Sequence, residues 1–233
     1  MMGAFRRRRS RSAGRATRSG ACRAVGSIAF AVALAACAMT SGCDVGQGEG
    51  WVRSEQLGVP DCWAGAFDLQ PDFFGTIPYR DTQQIRIQHG SDHPEVSDGV
   101  ALQVNATGAI RQMLGQTVSV GLAPELWADI NPTAEPGPAP LVNFALYLQF
   151  SCHSQNVVLY GVGGDVTFTD LFDGDPNESS GSERLTEATF NVQVGNPRDA
   201  PQGSTEVPAD KRSLLQGYFR FHFVRGQPAQ PFP

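Results

Sequence analysis

From Phe67 onward the apolar residues recur at every second position, which puts them on one face of extended strands. The clearest run is Phe144-Ala-Leu146-Tyr-Leu148-Gln-Phe150-Ser-Cys152, apolar at the even positions, with Ala145, Tyr147, Gln149 and Ser151 between them. Phe219, Phe221 and Phe223 alternate with Tyr218, Arg220 and His222, and Phe190, Val192 and Val194 with Thr189, Asn191 and Gln193. Val100, Leu102 and Val104 follow the same rule, as do Ile85 with Ile87, Val118 with Val120 and Leu122, and Val166 with Phe168. Val157 to Val162 is apolar on both parities, the pattern of a strand covered on each side. Gly163-Gly164-Asp165 reads as a tight hairpin turn. Helical signal is confined to Pro124–Ile130 and Ala109–Leu114.

About nine strands with one-sided alternation predict an all-β protein, a single β-sandwich of two sheets packed face to face; a closed β-barrel is the alternative. Segments 44–65, 173–184 and 197–211 read as tether and loops. The sandwich is expected over residues 66–226, followed by a proline-rich tail, 227–233.

Charge changes this picture at the N-terminus. All 23 acidic residues lie after position 43, while 8 of the 18 basic residues lie before it, so residues 1–42 carry +8 and the remainder 10 − 23 = −13. An acidic body excludes a nucleic-acid partner held by phosphate contacts. The basic stretch Arg6–Arg23 is followed by an apolar run, Ala24–Met39, shorter than the ~20 residues that span hydrocarbon. Basic, apolar, then small-residue order is that of an export signal.

Two cysteines close this leader, in Leu34-Ala-Ala-Cys37 and Thr40-Ser-Gly-Cys43. The segment resembles the signal of bacterial lipoproteins, which ends in a small-residue box before a cysteine that becomes the lipidated N-terminus. Cys37 matches the box at each position, and Cys43 at the two positions nearest the cysteine. Parity favours Cys43, because cleavage there leaves two thiols, Cys62 and Cys152, and cleavage at Cys37 leaves three. The glycine-rich sequence after Cys43 also suits a tether. The resemblance implies an exported chain held on the cell envelope by its lipid, with residues 1–42 as signal and 43–65 as lipidated terminus and tether. It leaves open which membrane holds it. In such a compartment Cys62 and Cys152 are expected to pair.

The body offers little chemistry. It has no G-x-S-x-G, H-E-x-x-H or C-x-x-C motif, and the single lysine, Lys211, follows no glycine loop. Cys152-His153 are neighbours, and on a strand they point to opposite faces. His89, Asp92, His93 and Glu95 read as a polar turn, since Gly90 and Pro94 break the helix that would align two histidine ligands. Asp173, Asp175 and Asn177, followed by Glu178, match the first three side-chain positions of a calcium loop, where hard oxygens suit a hard cation. Glu178 stands where that loop requires glycine, however, and Arg184 where it requires glutamate, so a solvated acidic turn is expected and no metal or cofactor. Tyr147, Tyr218, Arg220 and His222 fall on the polar parity and form a candidate ligand-binding face for sugar rings or a protein partner. The reading is therefore an envelope protein with a structural or interaction role. A glycan- or small-ligand-binding module is the alternative and an envelope hydrolase the third.

Overall fold

The computed structural model describes residues 48–90, 93–172 and 185–223. The all-β expectation holds; the described residues form ten strands and two short α-helices in this order: β1 (Gly48–Val59), β2 (Trp63–Leu69), β3 (Phe73–Tyr79), β4 (Thr82–His89), β5 (Asp98–Val104), α1 (Thr107–Arg111), β6 (Thr117–Ser119), α2 (Pro124–Ile130), β7 (Val142–Leu148), β8 (Val157–Asp170), β9 (Leu185–Gly195) and β10 (Arg212–His222). α2 begins at Pro124, whose fixed φ suits the first turn and whose missing N–H costs nothing there.

All strands join one antiparallel sheet in the order β2-β1-β10-β9-β8-β7-β5-β4-β3, with β6 pairing β8 beside this path. Face-to-face packing arises because this one sheet folds on itself. Phe74 of β3 approaches Phe221 of β10 with ring centroids 6.1 Å apart, although five strands separate them along the path. The edge strands β2 and β3 are joined by residues 70–72 alone, so the two edges must also meet at that corner.

β8 is the fold line. Val157–Tyr160 pair with β7 and Tyr160–Asp170 with β9, so Tyr160 alone is shared between β7 and β9, and further along Asp165–Thr167 lie between β6 and β9. A register shift between Gly161 and Gly163 marks a bulge, the usual device by which a strand turns a corner between packed layers. This corrects the hairpin expected at Gly163-Gly164-Asp165, where β8 bulges and bends but continues as one strand to Asp170. Gly164 has φ +93°, and a Cβ there would lie 2.2 Å from the carbonyl oxygen of Asn191. At Gly161, likewise, an added Cβ would meet Val120 and Phe144 within 2.8 Å, so Gly161 and Gly164 serve close packing of neighbouring strands rather than a turn. The first arm is then β3, β4, β5, β7 and the start of β8; the second is the rest of β8 with β6, β9, β10, β1 and β2.

The core lies between the arms and holds the residues singled out by parity: Ile85, Ile87, Val100, Leu102, Val104, Phe144, Leu146, Val166, Phe168, Phe190, Val192, Val194, Phe219 and Phe221 are all buried. The doubly apolar segment of β8 is covered on its second face too, where Tyr160 and Val162 pack against a smaller cluster of Leu122, Trp127 and Val207.

Segment 43–65 is not simply a tether. β1 occupies Gly48–Val59, and its alternation is masked by a bulge: Val52 and Ser54 face the core on even positions, Leu57 and Val59 on odd ones. One inserted residue flips the parity. The run Phe144–Cys152 also ends earlier than its pattern, because β7 stops at Leu148 and the chain turns. Phe150, expected inside, is 63% exposed.

Candidate functional site

The four residues of the expected ligand face do not come together. Tyr147 lies on the first arm and is only 7% exposed, against the expectation of an open face. Its ring crosses the adjacent strand at Gly99, where an added Cβ would meet the hydroxyl at 2.6 Å, and the hydroxyl donates to Gln88 Oε1 on β4 at 2.5 Å. Burial raises the Tyr147 pKa well above its ordinary value; Asp98 adds to the rise and Arg86 opposes it. Polar parity misread this position because a second packed layer of side chains gives the same alternation as solvent.

Tyr218, Arg220 and His222 do share the outer face of β10. Register sets Arg220 between Glu49 of β1 and Glu187 of β9, and Tyr218 between Trp51 and Thr189. Arg220 Nε lies 3.4 Å from Glu187 Oε2, and the Tyr218 hydroxyl is hydrogen-bonded to Glu49. Partial burial, then the Glu187 and Glu49 carboxylates, push the Tyr218 pKa up against the opposing pull of Arg220. Arg53 lies 5.1 Å from the Trp51 ring centroid and bonds Asp68 at 3.2 Å. The row continues as Thr189, Thr167 and Thr117, the last two with hydroxyls 3.4 Å apart. This is the outer face of the sheet, opposite the core, and its charges are matched across strands as Arg220–Glu187 and Arg53–Asp68. Sequence reasoning missed Glu49 and Trp51; the alternation Glu49-x-Trp51-x-Arg53 carries the signal, hidden by the bulge that follows.

Cys62 and Cys152 are joined in a disulfide with Cα atoms 5.7 Å apart. The bond links the β1–β2 turn to the β7–β8 turn, hence one arm to the other. Cys152 is buried in a turn rather than at a strand end. Its sulfur is in the disulfide, and His153 Nδ1 instead lies 3.3 Å from the Phe150 carbonyl oxygen. Asp98 binds the same turn through the amides of Phe150 and Ser151, 3.0 Å each, and the Ser151 hydroxyl at 2.5 Å. Ser151 and Asp98 are thus in direct contact with no imidazole between them, which is not a nucleophile–base relay.

His89 Nδ1 meets Asp72 at 3.0 Å, Glu95 sits in a single turn of 3-10 helix, and the His93 carbonyl accepts from Ser97 Oγ. Among the described residues no group of three or more His, Cys, Asp or Glu side chains is placed to hold a metal ion. Cys37, Cys43, Asp92, and the loop with Asp173, Asp175, Asn177 and Glu178 lie outside the described residues, as does the tail 227–233. A hollow of about 270 Å³ lies between the end of α2 and residues 197–202. Its Asn131 is fully engaged, donating to the carbonyls of Pro201 and Ser204 and accepting from Gly203 N and Thr133 Oγ1.

Fold and surface together define an all-β domain built of one folded antiparallel sheet and closed by a disulfide. No family model, no curated protein and no solved structure matches the chain.

Proposed function

We propose that this protein is an exported, lipid-anchored component of the cell envelope whose folded sheet serves a structural or interaction role. The observation that carries the reading is the state of the polar-aromatic face. Tyr218, Arg220 and Arg53 are each engaged by a neighbouring carboxylate, and Tyr147 is inside the fold. A module for sugars or small ligands keeps such groups free to meet the ligand in a concave site. The leader, with its box at Cys43 (Cys37 as alternative), supplies the export and membrane side of the proposal.

The anchor is tested by metabolic labelling with palmitate. A Cys43→Ser variant should lose the label and leave the membrane fraction; retention of label, with loss in Cys37→Ser, moves the anchor to Cys37. The interaction role is tested by recovering the anchored protein from its native envelope and identifying what co-purifies in stoichiometric amount. Specific retention on an envelope polysaccharide column, abolished by Trp51→Ala with Tyr218→Ala, would instead establish the glycan reading.

A further inference from the structure

We propose that the β7–β8 turn, Gln149–Gln155, is a docking knob that inserts Phe150 into an apolar, basic-rimmed pocket of a protein partner. A lone exposed apolar side chain needs no explanation. The backbone beneath Phe150, however, is clamped from several directions. Asp98 accepts from the amides of Phe150 and Ser151 and from the Ser151 hydroxyl. Gln149 N donates to Ser97 O, and Cys152 N to Leu148 O. The disulfide ties Cys152 to Cys62, and Gln155 Nε2 donates to Asp61 O at 3.1 Å. The ring is thus held outward on a rigid support, so that little backbone freedom is lost when it is bound. Buried aromatic anchors of this kind dominate interface energetics.

Other exposed apolar residues lack this setting. Tyr79 has the Arg80 guanidinium 5.2 Å from its ring centroid, and Leu214 lies within the regular outer face of β10, two positions from exposed Gln216 and opposite Gln193. Beside Phe150, Val96 is also exposed and sits next to Ser97, whose carbonyl holds the turn. Exposed Asp61 and Glu95 flank the pair, within a body of charge −13. Charge complementarity therefore selects a partner pocket rimmed by Lys or Arg.

The length of the tether supports a partner away from the anchoring membrane, a point that rests on the lipid at Cys43. Cys43 precedes Gly48 by five residues, at most ~17 Å of chain. β1 then runs ~36 Å from Gly48 to Val59, next to the disulfide and the knob. The anchored end of β1 and the Phe150 end are thus opposite ends of the strand.

The test places a photo-crosslinking amino acid at position 150 of the full anchored chain in its native envelope, with positions 114 and 214 as exposed apolar comparators. The protein cross-linked from 150 is identified and purified, and its affinity is measured for the soluble domain from residue 44 with the disulfide intact. The expected results are a discrete protein adduct from 150 alone, an affinity weakened about tenfold or more by Phe150→Ser, and weaker binding as salt rises. An unchanged melting temperature in Phe150→Ser separates lost docking from lost folding. Equal adducts from the three positions, adducts only to lipid or to a second copy, or unchanged affinity of Phe150→Ser would overturn the proposal. Palmitate labelling of the same cells reports on the anchor independently, and the affinity measurement uses no lipid.

Discussion

The two arms of the folded sheet share one alternation of apolar and polar residues, yet their outer faces have different fates. On the second arm the polar parity is solvated: Thr189, Gln216 and Arg220 are exposed, and Arg220 pairs with Glu187 on the neighbouring strand. On the first arm the same parity is packed. Arg86, Gln88 and Tyr147 are 6%, 0% and 7% exposed, and the Tyr147 ring lies over Gly99 to reach Gln88. A polar residue on a strand can therefore face water or a second layer of hydrogen-bonded side chains. Which occurs depends on whether a neighbouring strand leaves room, as Gly99 does.

The largest expected effect concerns the bond that holds the arms together. Reducing Cys62–Cys152, or replacing both by Ala, should destabilise the domain by up to about 4–5 kcal/mol, since 90 residues separate the two cysteines. Thermal melting with and without reductant measures this. Thiol titration of the denatured, unreduced protein should find neither cysteine free, and two free thiols would refute the bond.

Glycine substitutions sharpen the contrast between the faces. Gly99→Ala should cost about 1–3 kcal/mol, because its Cβ meets the Ile87 carbonyl oxygen and the Tyr147 hydroxyl at 2.6 Å. Gly163→Ala, on the open outer face with its nearest neighbour atom 3.8 Å away, should be neutral or stabilise by about 0.4–1 kcal/mol. Equal costs in urea unfolding would erase the distinction drawn between the arms.

Tyrosine pairs give a smaller version of the same contrast. Tyr147→Phe removes a buried hydrogen bond and should cost about 1–2 kcal/mol. Tyr218→Phe should stay within about 0.5 kcal/mol. The pKa of folded Tyr147 is raised, so the unfolded chain releases that proton first, near pH 10. Stability from this residue is complete below that pH and is lost as pH climbs toward the folded value. Tyr147→Phe should flatten the alkaline decline in melting temperature, and an unaltered slope would place the ring in solvent.

The smallest effect is expected at Arg53–Asp68, where both side chains are about half exposed. Arg53→Ala should change stability by no more than about 0.5 kcal/mol.

Strand identity was legible where alternation ran unbroken, as in the segments with Ile85, Val100, Phe190 and Phe219. It failed where a bulge reversed parity between Ser54 and Leu57, and where the run through Phe150 outlasted its strand. The candidate face was half legible: Tyr218, Arg220 and His222 share a strand, but their Glu49 and Glu187 neighbours come from segments distant in sequence.

Sequence by itself determined the all-β class, the core residues of the regular strands and the place of α2, because period two and a proline at a helix start act within a few residues. Only the tertiary structure decided that one sheet folds at β8, that Tyr147 is inside and that Phe150 is outside. Each depends on which strands approach across the core, and local periodicity carries no information about an approach between residues far apart in the chain.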